Sequence, residues 1–246
     1  MLVKLALAVL ATLSAAAPCP EGVQVVENCK QSGTVAWTFD DGPYMWESDI
    51  MNKFESKGSK ATFFLNGNNY GCIYDRADQV KEMFNRGHTL GSHTWSHAHL
   101  KGKSYDYISK ELEKVETAFI KILGVKPLYF RPPYGEYDDT VLKVLSDRGY
   151  KKLFMWTHDT EDANGKGADF GRNVIGKVRD QSPKPALILS HSTQDVTHSQ
   201  VVPWGLDQLT GRGYRVVAVD TCMGDEGEWP YQWVGNPGQR DGSWKC

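Results

Sequence analysis

From Val35 onward the chain repeats one unit: a short apolar run, a polar loop, then an amphipathic segment that ends near a glycine. Seven apolar runs are read as strands, at residues 35–39, 61–65, 89–93, 128–131, 153–156, 186–190 and 215–219. Between the first two, Trp46, Ile50 and Phe54 recur every four residues before Gly58, the spacing of one helix face followed by a C-terminal cap. Val80, Met83 and Phe84 precede Gly87 in the same way, and Val141, Leu142 and Leu145 precede Gly149. The clearest helix spans 104–123, where Ile108, Leu112, Val115, Phe119 and Ile122 form one stripe closed by Gly124. Phe170, Val174 and Val178 mark a weaker one.

Strands alternating with helices predict a parallel α/β fold, and near-continuous apolar strands fit a sheet covered on both faces. The rival is a doubly wound sheet. No Gly-x-Gly-x-x-Gly loop follows the first strand, so nucleotide binding has no support and an irregular (β/α) barrel is the expectation. The 246 residues suffice for one such barrel, and no linker divides the core at 35–222.

The two ends read differently. Lys4, an apolar run over 5–13 and then Ser14, Ala15, Ala16 and Ala17 have the form of a secretory leader, with cleavage after Ala16. That assigns 1–16 to the leader, 17–34 to a segment tied to the barrel and 223–246 to a C-terminal extension, and it predicts a secreted, extracellular or cell-wall protein. The apolar run is shorter than the ~20 residues a membrane span needs. A net charge of −2 with no block of like charge predicts no nucleic-acid and no membrane partner, and a monomer is expected. An oxidising compartment favours disulfides. Cys19 and Cys29 precede the first strand while Cys222 and Cys246 follow the last, so Cys29–Cys222 and Cys19–Cys246 are the expected staples, leaving Cys72 free.

In a barrel, reactive side chains project from the carboxyl ends of the strands. Asp40 and Asp41 follow strand one, His93 and His97 end and follow strand three, and Arg131 ends strand four. Asp159 and Asp162 follow strand five, and His191 follows strand six, so all eight share one rim. His93 and His97, four residues apart, would be aimed at one point by a helical turn, and with Asp41 they make a two-histidine, one-carboxylate set with room for water. Zinc is the expected metal; cobalt, nickel or iron also suit these donors. Asp40 is placed to take a proton from water, Arg131 to hold Asp40 ionised and aimed, and the Tyr134 region to offer an amide N–H to an oxyanion. His191 is a candidate acid, held protonated by Asp159 or Asp162. His88, His99, His158 and His198 have no such set around them.

Together, Thr38-Phe39-Asp40-Asp41-Gly42-Pro43, His93-Thr94-Trp95-Ser96-His97, Arg131-Pro132-Pro133-Tyr134-Gly135 and Leu189-Ser190-His191 resemble the ordered motifs of the polysaccharide deacetylases, the fourth carbohydrate esterase family. The resemblance runs from Val35 to Val219. It implies a distorted seven-stranded (β/α) barrel, a divalent metal and hydrolysis of N-acetyl or O-acetyl groups on a polysaccharide. It further implies Asp40 as base, Asp41, His93 and His97 as ligands, His191 as acid, Arg131 orienting the base, Tyr134 giving the oxyanion N–H and Leu189 lining the acetyl pocket. Asp162 is the choice for tuning His191 and the arginine. The family often has tryptophan after that aspartate where this chain has Ala163, so Trp156 is expected to take over part of the wall. Asn66-Gly67-Asn68-Asn69-Tyr70, like small fungal members, points to chitin or its oligomers. Trp46, Trp95, Tyr137 and Trp156 are the aromatics nearest the rim in sequence, and some of them are expected to stack on sugar rings. Acetylxylan esterase, peptidoglycan N-deacetylase and a non-catalytic chitin-masking protein are the alternatives.

Overall fold

The computed structural model describes residues 22–224 and 228–246; the leader expected over 1–16, and Cys19, lie outside them. In chain order the elements are β1 (Gln24–Val26), β2 (Thr34–Gly42), α1 (Glu47–Glu55), β3 (Thr62–Leu65), α2 (Ala77–Asn85), β4 (Thr89–Ser92), α3 (Tyr105–Leu123), β5 (Val125–Pro127), β6 (Tyr129–Phe130), α4 (Asp139–Asp147), β7 (Lys152–Phe154), β8 (His158–Asp159), α5 (Ala168–Asp180), β9 (Ala186–His191), α6 (Val202–Gly211), β10 (Arg215–Val217), α7 (Val219–Met223) and β11 (Tyr231–Trp233). All seven expected strands form. The α3 helix keeps its expected limits because Ser104 caps it and Gly124, at φ 75°, turns the chain out of it.

Nine strands make one sheet in the order β1-β7-β6-β4-β3-β2-β9-β8, with β10 also on β2. The pairings are parallel. Val26, Ala36, Phe64, Tyr129, Phe154 and Leu187, from strands across the whole order, share one interior core, so the sheet curls into a barrel. Among the described residues β1 and β8 do not pair, and the barrel stays open there. Only residues 155–157 separate β7 from β8, too few for the crossover that would lay β8 parallel beside β7, so β8 joins β9 instead. The strands beyond the expected seven are β1, β5, β8 and β11. Each has two or three residues, which is too short for alternation to register.

Period two sorts β2 between two cores. Val35, Trp37 and Phe39 face outward into the helix layer, where Trp37 and Phe39 pack on Phe54. Ala36 faces the barrel interior. Thr38 and Asp40 follow Ala36 on that inner face, so the fold itself carries a carboxylate inward at the strand end.

The Cys29–Cys222 disulfide forms as expected, but Cys246 bonds Cys72, so Cys72 is not free. The tail explains the correction. β11 pairs with β5, Gly238 N donates to the Lys121 carbonyl, and Trp244 enters the outer core, which brings residue 246 to the loop after β3. Closing so long a loop constrains the unfolded chain, so Cys72→Ser is expected to lower stability by about 2–4 kcal/mol, read as a reduced urea midpoint. An unchanged midpoint would show that the staple constrains nothing.

Candidate active site

A cleft of about 490 Å³ opens at the carboxyl ends of the strands and is lined by Asp40, Asp41, His93, His97, Tyr134, Trp156, Asp159, Leu189 and His191 among others. Arg131 and Asp162 stand just behind it, buried. The eight polar candidates on the expected rim therefore converge.

Two adjacent aspartates on a regular strand would point to opposite faces. Here the β2–β3 register shifts between Asp40 and Gly42, and Asp41 has φ 71°, so the bulge turns Asp41 back toward the same cleft. Left-handed backbone at a non-glycine residue is strained, and such strain gathers at functional sites. The histidine pair shows the same device. Residues 93–97 form a loop, not the expected helical turn, with Thr94 at φ 68° and His97 at φ 54°. His97 Nε2 lies 3.3 Å from Asp41 Oδ1, and His93 Nε2 lies 3.7 Å from the same oxygen.

Asp41, His93 and His97 offer ligand atoms all within 4.8 Å of one another, the one such group among the described residues. Their chemistry fits a divalent cation. His93 Nδ1 donates to the Arg131 carbonyl at 2.7 Å, which leaves its Nε2 lone pair facing the cluster. Burial, then the neighbouring His93, lower the His97 pKa to about 4, so its imidazole is neutral and able to ligate at neutral pH. Asn69 Nδ2 donates to Asp41 Oδ1 at 3.3 Å, and Asn66 donates to the carbonyls of His93 and Thr94.

Arg131 is fully buried, and each part of its guanidinium is used. Nη1 donates to Asp40 Oδ1 at 2.9 Å and to Thr38 Oγ1 at 2.6 Å, Nε to the Phe154 carbonyl and Nη2 to the Met155 carbonyl. Asp40 Oδ2 is left pointing at the cluster, 3.7 Å from His93 Nε2. On β9, His191 is the register partner of Asp40. Its Nδ1 bonds Asp162 Oδ1 at 2.7 Å and its backbone N–H donates to Asp162 Oδ2. Burial alone would lower the His191 pKa, but the Asp162 hydrogen bond and charge, with Asp40 and Asp41 beyond, raise it to about 9.

The candidates separate on geometry. Asp162 rather than Asp159 holds His191; Asp159 lines the cleft, its carboxyl pushed up by burial while it accepts from Glu161 N. Arg131 bonds Asp40 and not Asp162. Tyr134, at φ 60° and 54% exposed, sets its ring edge-on to His97 and stacks it on His99 at 3.8 Å. Trp156 walls the cleft as expected, close against Gly135, where any Cβ would lie 2.9 Å from the indole.

The other three aromatics do not line the cleft. Trp95 packs over Gly67 beside Tyr74, Trp46 stacks on His198, and Tyr137 packs toward Val25 near the β1 edge. Nearness in sequence to the rim does not by itself place a side chain in the cleft, because a loop side chain can turn either way. Asn69, Tyr70, Glu161 and Asn164 also line the cleft. The run of asparagines from Asn66 signalled the first two, while nothing in the sequence marked Glu161, set by its own φ of 49°.

The polysaccharide deacetylase family profile matches residues 27–153. A chitin deacetylase of Arthroderma benhamiae is 36% identical over 204 residues, which are 82% of this chain and 54% of that protein, so the chain spans about half of that relative's length. A chitin deacetylase of Pestalotiopsis is 34% identical over 231 residues, 92% of this chain and 77% of that one. Among solved structures, the chitin deacetylase of Colletotrichum lindemuthianum superposes with a TM-score of 0.80 at 28% identity, covering 88% of this chain and 98% of its own. With the expected motifs meeting in one cleft on that fold, this chain belongs to the polysaccharide deacetylase family.

Proposed function

We propose that the protein is a secreted, metal-dependent hydrolase that removes N-acetyl groups from chitin or chitin oligomers, releasing acetate. The observation that carries this reading is the pairing of Asp40 with His191 across neighbouring strands, each with its own buried counter-group, beside the Asp41, His93 and His97 set. Asp41, His93 and His97 would hold the ion, zinc by preference. When bound, it supplies a Lewis acid and lowers the pKa of water at the site.

The chain's own groups divide the remaining work. Asp40, aimed by Arg131, takes the proton of the attacking water through the oxygen that Arg131 leaves free. The Tyr134 backbone N–H supports the oxyanion that develops as the acetyl carbonyl is attacked, and Leu189 borders the acetyl methyl. His191, charged through Asp162, gives its Nε2 proton to the departing amine. An amide needs that proton more than an ester does, because an amine anion is a very poor leaving group. The two disulfides and the likeness to fungal chitin deacetylases support a secreted protein acting on an extracellular polysaccharide. No helix among the described residues is long and apolar enough to cross a membrane.

The test is acetate released from a chitin oligomer, with chelation and zinc restoration. Release that chelation abolishes and zinc restores is the expected result; oligomer binding without release would support the masking protein instead.

A pH profile tests the acid. With its pKa raised to about 9, His191 carries its proton across neutral pH and loses activity as pH rises toward that value. The same pair adds stability fully present below about pH 6.5 and lost as pH climbs through the raised value. Asp162→Asn removes the charge that opposes burial, so the alkaline limb of kcat is expected to move to lower pH. A limb that stays where it was would remove His191 as the acid or Asp162 as its partner.

A further inference from the structure

A buried carboxyl that the proposed reaction does not use lies directly under the cleft. Glu47, the first residue of α1, is fully buried. Its Oε1 accepts from Tyr44 N at 2.8 Å and from Ser192 Oγ at 2.7 Å, and its Oε2 accepts from Gln79 Nε2 at 3.0 Å. Ser192 in turn donates its backbone N–H to the Asp40 carbonyl at 3.2 Å. One oxygen atom therefore joins the turn that follows Asp40 and Asp41 to the residue that follows His191. The approach is close: a Cβ at Gly42 would lie 2.5 Å from Glu47 Oε1 and 3.0 Å from Ser192 Oγ, so a side chain there would displace the Glu47 carboxylate.

Burying a carboxyl is costly unless its hydrogen bonds are made, and most of those Glu47 makes reach outside its own helix, to Tyr44, Gln79 and Ser192. The Ncap position is Trp46, which makes no side-chain cap bond. Burial raises the Glu47 pKa, opposed first by the Ser192 hydrogen bond. What Glu47 adds is a shared acceptor between two strand ends that diverge beyond their last paired residues, Asp40 and His191.

We propose that Glu47 is a positioning residue that locks the turn carrying Asp40 and Asp41 against the strand end carrying His191. This rests on the roles assigned above to Asp40, Asp41 and His191. Its consequence is specific: loosening Glu47 lets Asp41 drift from the two histidines and Asp40 from His191, without touching the cleft surface.

Glu47→Ala, Glu47→Gln and Ser192→Ala in the full-length secreted protein test it by zinc affinity, from chelator competition, and by kcat and KM per bound zinc on a chitin oligomer. Glu47→Ala is expected to weaken zinc binding and lower kcat by about 10-fold or more, with KM within about 2-fold, the scale seen when groups supporting ligands are removed. Ser192→Ala should give a smaller loss in the same two quantities. Glu47→Gln should recover most of both. Its amide oxygen still accepts from Tyr44 and Ser192, and its NH2 meets Gln79 once that amide turns to present Oε1, which has no hydrogen-bond partner as placed.

Zinc affinity and kcat per zinc unchanged in Glu47→Ala, with only a lower melting temperature, would overturn the proposal. So would a Gln variant as impaired as the Ala one. If wild type released no acetate, the deacetylase reading would fall, while the zinc measurement would still decide whether Glu47 positions the ligand turn.

Discussion

On the proposed reading, Asp40→Asn is expected to lower kcat for acetate release by about 10²–10⁴-fold, the range of a lost general base, with folding and metal content unchanged. The asymmetry follows from how the two carboxylate oxygens are used. Oδ1 accepts from Arg131 Nη1, and an asparagine oxygen can take over that bond with the same shape. Oδ2 faces the cluster, and an amide NH2 there cannot accept a proton. KM is expected to stay within a few-fold, since the cleft walls are unaltered, and metal stoichiometry to stay unchanged because the proposed ligands Asp41, His93 and His97 are untouched. Steady-state kinetics with metal analysis on the same samples decides it. A kcat within about 3-fold of wild type would remove Asp40 as the base; loss of zinc would show instead that Asp40 holds the metal.

Arg131→Met is the second large effect, and it falls on the fold as well as the reaction. Taking one partner from a buried ion pair leaves the other charge stranded at low dielectric, which costs about 3–5 kcal/mol. For a chain of this size that corresponds to a melting temperature lower by roughly 10 °C. The arginine also donates to Thr38 Oγ1 and to the carbonyls of Phe154 and Met155, so methionine fills the volume but removes those three donors from β2 and the end of β7, while Thr38 Oγ1 keeps its bond to the Ile188 carbonyl. If the stranded charge is the main cost, adding Asp40→Asn to Arg131→Met should return part of the stability, although neither change alone is stabilising. A double variant that melts at the sum of the two losses would place the cost in the lost backbone hydrogen bonds instead.

Asp40, Arg131 and Thr38 meet because of where β2 and β6 lie, and this separates what was legible from what was not. The identity of the candidate groups was local information. Motifs after successive strands fall on one rim because every parallel strand runs the same way, so the rim carrying Asp40, Asp41, His93, His97, Arg131, Asp162 and His191 follows from strand order alone. Helix limits such as Ser104 to Gly124 were equally local, since a cap and a left-handed stop are set by neighbouring residues.

The tertiary structure decided everything that depends on distance across the chain. It chose Asp162 over Asp159 as the partner of His191, joined Cys72 to Cys246 and, among the described residues, left the barrel open between β1 and β8. It turned Trp46, Trp95 and Tyr137 away from the cleft while admitting Asn69, Tyr70 and Glu161. It also gave Asp41 and His97 the left-handed backbone that lets adjacent carboxylates and a looped histidine pair share one point. Sequence patterns report which face of an element is apolar, but bulges, positive φ values and loop directions are settled by packing against residues far away. The candidate residues were therefore readable from the sequence, and their geometry only from their contacts.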